Sequence, residues 1–181
     1  MLEDVRRLAE GLLSGLGAVH AQGFLHRDIK PSNVLLDEGG NCLLADFGIA
    51  RITEGATRLT QTGMLMGTPE YMSPEQASGE TVGPASDIYS VGIVLYELLT
   101  GRVPFKAETP VAVALKHLTA PLPPPRSLNP ALTPEIEAVV LKAPARDHRL
   151  DAVASVPIRL DDAHGERVVA DARRRPVERG S

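Results

Sequence analysis

The sequence is poor in cysteine and in aromatic residues. A single cysteine, Cys42, excludes an internal disulfide framework and cannot form a zinc site alone. It indicates a reducing compartment, so we expect a cytoplasmic location. Aromatic residues make up 3% of the chain and the net charge is -4, which leaves few stacking platforms and no basic surface for nucleic acid. We therefore expect that the chain does not bind nucleic acid.

Long uncharged apolar runs are also missing. No stretch approaches the ~18 apolar residues that a bilayer-spanning helix needs. The first four residues, MLED, lack the basic and apolar regions of a signal peptide. We therefore expect no membrane segment in this chain. With 181 residues and 43% hydrophobic content, the chain can form one domain with a substantial core.

Periodicity predicts a mainly α-helical fold. Apolar residues recur at helical spacing from Leu2 onward, and this helix should end near Gly23. The nearly all-apolar stretch 87–99 predicts a helix buried on most sides, and further helices fit 110–118 and 133–142. Between them, 34–36 and 43–45 are typical of short strands joined by a turn, so we expect small two-stranded hairpins as the β structure.

One run of polar residues carries the chemistry. Residues 26–33 read HRDIKPSN, and 46–48 read DFG. The first run holds a carboxylate that can accept a proton from a hydroxyl, with a lysine beside it. An asparagine and an aspartate that suit Mg²⁺ complete the set. Transfer of a γ-phosphate requires such groups, because its chemistry is mostly positioning and charge neutralisation.

Two more signatures follow in order, GTPEYMSPE at 67–75 and SDIYSVG at 86–92. With them, residues 2 to about 141 resemble the larger, C-terminal lobe of a bacterial-type serine/threonine protein kinase. The resemblance implies that the fold is a kinase C-lobe and that the cofactors are ATP and Mg²⁺. It also implies transfer of the γ-phosphate of ATP to Ser or Thr hydroxyls of protein substrates.

The resemblance also implies the roles of individual residues. Asp28 would be the catalytic base, although a loop aspartate can also cap its own turn. Lys30 would neutralise the migrating phosphate of ATP, and its identity suits a Ser/Thr enzyme. Asn33 and Asp46 would coordinate Mg²⁺ from the two sides of the hairpin. Leu35 would form the floor beneath adenine.

Other matched positions have supporting roles in the family. The hydroxyl of Thr68 would bond the catalytic aspartate and lysine. His26 and Phe47 would stack in a hydrophobic column, although for the apolar residues Phe47 and Leu35 ordinary core packing is the plainer alternative. Glu75 would need a buried arginine partner, because an unpaired interior carboxylate is costly. Arg149 is the candidate partner, but the loop before it is about two residues shorter than the family pattern.

Asp87 resembles the aspartate that holds the backbone of the catalytic loop, and an N-cap role is the plainer alternative. Arg27 and Arg51 form a basic pair that a phosphate could neutralise. We expect Thr60 and Thr62 to be the phosphorylated residues, with unmodified loop threonines as the alternative. The segment 121–126 fits either a proline-rich SH3 ligand or a stiff connector.

The smaller lobe of a kinase is missing from this sequence. It has no Gly-x-Gly-x-x-Gly phosphate cover, no strand lysine for the α- and β-phosphates and no helix glutamate to pair with that lysine. We therefore expect the isolated chain to be inactive. Three hypotheses follow: a fragment of an active kinase, a non-catalytic protein-binding module, or a split kinase completed in trans by an N-lobe partner.

The character of the chain changes near its end. The residues after Ala143 hold 8 of the 15 arginines, no lysine and no aromatic residue. We expect a truncated kinase domain over 1–154 and a frameshifted or disordered tail over 155–181, because these residues lack the periodicity of a packed helix.

Overall fold

The computed structural model describes residues 2–46 and 68–143, and these residues are mainly helical. The helices are α1 (Leu2–Ala21), α2 (Pro74–Ser78), α3 (Pro84–Thr100), α4 (Pro110–Thr119) and α5 (Pro134–Lys142). The strands β1 (Val34–Leu36) and β2 (Cys42–Leu44) pair antiparallel, with Val34 opposite Leu44. The predicted fold class is confirmed: helices dominate, and one small hairpin supplies the β structure of the described part of the chain.

Helix α3 is the centre of the described structure. Twelve of its residues are buried. A helix that is apolar on nearly every face has to be buried on most sides. It begins at Pro84, three residues before the predicted start at Asp87, because Pro84 is well suited to the first helical turn. It ends before Gly101, whose φ of 77° is the left-handed conformation that commonly terminates helices.

Two hydrophobic clusters surround α3. On one side, the buried face of α1 contributes Leu12 and Leu16, which pack with Ile29, Val91 and Val94. On the other side, Tyr96 and Leu99 of α3 pack with residues from α5 and the loop before it. Full burial of a leucine contributes about 1.5–3 kcal/mol relative to exposure. The clusters therefore fix α1 and α5 on α3.

The hairpin lies against α1 through a close approach of the two backbones. A Cβ atom added at Gly11 would lie 2.6 Å from the Cβ of Cys42, so only glycine allows this contact. Val34, Cys42 and Leu44 also contact the first cluster. The loop between α1 and β1 is consequently anchored at both of its ends. In the described residues, none of the helices has the length and apolar character needed to cross a membrane.

Candidate active site

Asp28 lies in the loop between α1 and β1, and two predicted partners hold its carboxylate. The Oδ2 atom accepts hydrogen bonds from Lys30 Nζ at 3.0 Å and from Asn33 Nδ2 at 3.2 Å. The Asn33 amide also donates to the backbone carbonyl of Asp28 at 2.8 Å. Two donors, one of them cationic, restrict the rotation of the carboxylate. The structure thus brings together Asp28, Lys30 and Asn33, three residues that were predicted from the sequence to belong to the site.

The local sequence explains this arrangement. Lys30 is extended, with φ of -161°, as the residue before a proline prefers to be. Pro31 then begins a 3₁₀ turn that ends at Asn33, and the Asn33 N–H donates to the Lys30 carbonyl at 3.0 Å. This turn brings the buried Asn33 side chain back toward Asp28. The motif is therefore a compact turn with its polar side chains converging.

The open end of the hairpin places Asp46 beside Asn33. Ala45 N–H donates to the Asn33 carbonyl at 2.9 Å, which continues the pairing of the strands by one residue. Asp46 follows directly, is exposed, and has φ of 56°, an uncommon conformation for a residue other than glycine. A backbone conformation of this kind is often found at functional sites.

The donor set at this end of the hairpin fits Mg²⁺ in part. The amide nitrogen of Asn33 donates to Asp28, whereas its Oδ1 has, among the described residues, only a 3.5 Å contact from Ser32 Oγ. That oxygen and the Asp46 carboxylate are hard ligands of the type Mg²⁺ takes. Residues 2–46 and 68–143 contain no group of three or more His, Cys, Asp or Glu side chains that could hold a metal. Water or phosphate oxygens would have to complete the coordination.

Asp87 holds the backbone just before Asp28. Its carboxylate accepts from His26 N–H at 2.9 Å and from Arg27 N–H at 2.7 Å, and it pairs with His20 Nε2 at 2.8 Å. The Asp87 side chain is 1% exposed, so these donors replace the water that the charge has lost. The N-cap alternative for Asp87 is wrong, because the N-cap of α3 is Gly83.

His26 joins the loop to the hairpin. It is fully buried, and its Nε2 lies 3.1 Å from the Ala45 carbonyl. A carbonyl can only accept, so Nε2 carries the proton; Nδ1 is then the acceptor that faces Asp28 N–H at 3.4 Å. The ring therefore helps to place both Asp28 and the end of β2. Its predicted stacking partner, Phe47, lies outside the described residues.

The segment that follows residue 67 packs on α3 near Asp28. Thr68 lines a cavity of about 10 Å³ together with Asp28 and Lys30, and its hydroxyl bond to them stays a prediction. Further along, the Tyr71 hydroxyl donates to Glu97 of α3 at 2.6 Å. Burial and the neighbouring Glu97 raise the pKa of Tyr71 well above its usual range, so this hydroxyl keeps its proton.

Glu75 is half-buried in α2 and accepts a hydrogen bond from the Ser86 hydroxyl in the first turn of α3. This contact joins α2 to α3. The arginine proposed for Glu75, Arg149, lies outside the described residues, as do Arg51, Thr60, Thr62 and the tail 155–181. Those assignments remain predictions.

An apolar surface borders the site. Leu35, Leu36 and Leu43 of the hairpin are 51%, 57% and 52% exposed, and Phe24 in the preceding loop is 60% exposed. Leu35 and Leu43 lie opposite each other across the two strands, and we call this pair the hairpin surface. Leu35, the predicted floor beneath adenine, is thus accessible to a ligand.

Two residues near Asp28 were not predicted from the sequence. His20 gave no local signal, because its contact with Asp87 spans 67 residues. Gln76 donates a hydrogen bond to the Arg27 carbonyl across 49 residues, and no local signal predicts this contact. Its second role, in capping α2, does have a sequence signal. A serine followed by glutamine three residues later, as in Ser73 and Gln76, is the spacing of a helix capping box.

An aspartate held by a lysine and an asparagine, on a loop that a buried helical aspartate anchors, is the arrangement that the resemblance to protein kinases predicts. The chain belongs to the protein kinase domain family, whose model matches residues 2–136.

The relatives are bacterial. Over 151 residues the chain is 43% identical to serine/threonine-protein kinase PrkC of Bacillus subtilis, which covers 82% of this chain and 23% of that protein. It is 43% identical over 164 residues to serine/threonine-protein kinase PknB of Mycolicibacterium smegmatis, covering 86% and 26%. With serine/threonine-protein kinase PknA of Mycobacterium tuberculosis it shares 45% identity over 147 residues, covering 78% and 34%. The chain therefore spans between about a quarter and a third of the length of these relatives.

Proposed function

We propose that the chain provides the catalytic lobe of a serine/threonine protein kinase that transfers the γ-phosphate of ATP to Ser or Thr hydroxyls of protein substrates. The observation that carries the proposal is the Asp28 carboxylate, held by Lys30 and Asn33 at the end of the hairpin where Asp46 lies. The names of the relatives support the substrate class.

The residues divide the work between proton acceptance and placement. Asp28 accepts the proton of the substrate hydroxyl. Lys30, already 3.0 Å from Asp28, places a positive charge where the transferred phosphate arrives. Thr68 completes this group on the substrate side. When bound, ATP would supply the phosphoryl group and Mg²⁺ would neutralise its charge. Asn33 and Asp46 would be the protein ligands of the metal.

A second, ATP-binding lobe completes the site in this proposal. The hairpin surface supports the idea, because paired exposed leucines at the edge of a site favour a covering partner. Leu35 would then contact the adenine ring from below. The covering lobe belongs either to the same polypeptide, upstream of residue 1, or to a separate chain that acts in trans.

Regulation by phosphate forms part of the same proposal. Arg27 lies directly before the base, and a phosphate on Thr60 or Thr62 would bring about -1.5 to -2 charges toward Arg27 and Arg51. We place the enzyme in the cytoplasm, on the ground of its single cysteine.

The test joins an ATP-binding lobe from a relative to the N-terminus of the chain. With Mg²⁺ and radiolabelled ATP, the fusion should phosphorylate itself or a general protein substrate on Ser and Thr. Asp28→Asn should abolish this transfer. Asp37→Asn is its matched control, because Asp37 lies in the exposed turn of the hairpin and its hydrogen bonds to described residues stay within that turn. Phosphate found only on tyrosine, or a folded fusion without transfer, would contradict the proposal.

A further inference from the structure

Gln76 connects two parts of the site through a single amide group. It is 8% exposed and lies at the third position of α2. Its Oε1 accepts from Ser73 N–H at 3.1 Å, which caps the helix. Its Nε2 points elsewhere and donates to the backbone carbonyl of Arg27 at 2.9 Å. The acceptor half of the amide therefore serves α2, whereas the donor half serves the loop of Asp28.

The bond reaches the loop at its most strained residue. Arg27 has φ of 64°, the left-handed conformation that costs a residue other than glycine about 1 kcal/mol or more. Such a conformation persists only when the surroundings fix it. Asp87 binds the Arg27 N–H at 2.7 Å, and Gln76 binds the Arg27 carbonyl. Both peptide groups of Arg27 are thus held, one from α3 and the other from α2.

The second of these peptide groups is the one that leads into Asp28. Its carbonyl is fixed by Gln76, and its N–H faces His26 Nδ1 at the longer distance of 3.4 Å. The plane of this peptide sets the direction in which the Asp28 side chain leaves the backbone. Gln76 also lines the small cavity that Asp28, Lys30 and Thr68 line.

We propose that Gln76 is a positioning residue for the base: its amide N–H fixes the Arg27–Asp28 peptide and thereby aims the Asp28 carboxylate. The inference rests on the proposed function for the role of Asp28 as base. Capping of α2 does not require glutamine, because glutamate at the same position accepts the Ser73 N–H equally well. Only the donor half of the amide distinguishes the two residues.

This distinction gives an isosteric test in the 181-residue chain. Gln76→Glu keeps the acceptor for Ser73 and removes the donor to Arg27, whereas the control Ser73→Ala removes the serine hydroxyl of the cap and keeps that donor. Gln76→Glu should shift the carbonyl ¹³C resonance of Arg27 and speed hydrogen exchange of the Asp28 amide about tenfold. Ser73→Ala should leave both unchanged. Unchanged signals in folded Gln76→Glu would overturn the inference.

A buried carboxylate is costly, so Gln76→Met serves as a second variant if Gln76→Glu does not fold. Methionine has a similar length and no strong hydrogen-bonding group, and it should move the same two signals. An Arg27 carbonyl resonance that stays in place in folded Gln76→Met would equally overturn the inference.

A kinetic measurement in the fusion with an ATP-binding lobe separates positioning from stability. Gln76→Glu should lower kcat about tenfold or more while KM for ATP stays within about twofold, because the base is misdirected and the nucleotide site is intact. A wild-type kcat in the folded variant would refute the inference. An inactive wild-type fusion would contradict the proposed function instead, and the Arg27 carbonyl shift would still decide whether Gln76 fixes that peptide.

Discussion

Replacement of Asp87 by alanine should destabilise the chain more than any surface substitution. The change strands two backbone N–H groups, those of His26 and Arg27, and removes the partner of His20. A hydrogen bond to a charged group contributes about 1.5–3 kcal/mol, so the loss of the two backbone bonds should cost about 3–6 kcal/mol. Domains of this kind have only about 5–15 kcal/mol of total stability. The variant should therefore unfold at a much lower urea concentration.

The assay is urea unfolding of the 181-residue chain, followed by circular dichroism at helical wavelengths. Asp87→Asn refines it, because the amide keeps one acceptor oxygen and should lose about half as much. Glu135→Gln is the matched control: Glu135 also lies in the first turn of a helix, and a hydrogen bond from Thr133 lowers its pKa, but it is exposed. It should leave the urea midpoint essentially unchanged. An Asp87→Ala midpoint equal to that of the control would refute the reasoning.

Three further predictions address other parts of the chain. Burial lowers the pKa of His117 from 6.5 to about 4, so its contribution to stability is complete above pH 6.5 and is lost as the pH falls toward 4. The loss should be about 3 kcal/mol in urea titrations across that range, and His117→Gln should flatten the profile. Gly11→Ala should lower the melting temperature, whereas Gly17→Ala, where an added Cβ meets nothing within 4 Å, should raise it slightly. In the active fusion, mass spectrometry should find phosphate mainly on Thr60 and Thr62.

Each of these predictions has a contradicting result. A stability profile that keeps its slope between pH 6.5 and 4 in His117→Gln would assign the titration to another group. Equal melting temperatures for the two glycine variants would show that the helix can move away from the hairpin. Phosphates found only outside residues 46–75 would remove Thr60 and Thr62 from the regulatory role.

Much of the fold could be predicted from local sequence patterns. The apolar stretch that begins at Asp87 predicts a buried helix, because a helix apolar on every face must be buried. Its first turn escaped prediction, since Pro84 and its neighbours are not strongly apolar and only the proline at N1 marks the start. The short helix α2 was also missed. With five residues, it is too short for periodicity to reveal.

Some contacts of the candidate site could be predicted from the sequence and others could not. Asp28, Lys30 and Asn33 lie within six residues, so one proline-initiated turn brings them together and the motif sufficed to predict it. The contacts that hold the loop of Asp28 in place join residues that are distant from each other in the sequence. His20 and Gln76 reach it only through the packing of α1 and α2 on α3, and no spacing in the sequence encodes a contact across 49 or 67 residues. The left-handed conformation of Arg27 was equally invisible, because arginine carries no preference for it.

The central claim is that Asp28 is the base of a phosphoryl transfer, and the single-turnover rate of the fusion with Asp28→Asn tests it most directly. Asparagine preserves the size of the side chain and can still accept a hydrogen bond from Lys30, but it cannot take the proton of the substrate hydroxyl. The rate should be at least about 10²-fold lower, with ATP affinity unchanged. A rate within a few-fold of that of the unmodified fusion would contradict the role of Asp28 as base.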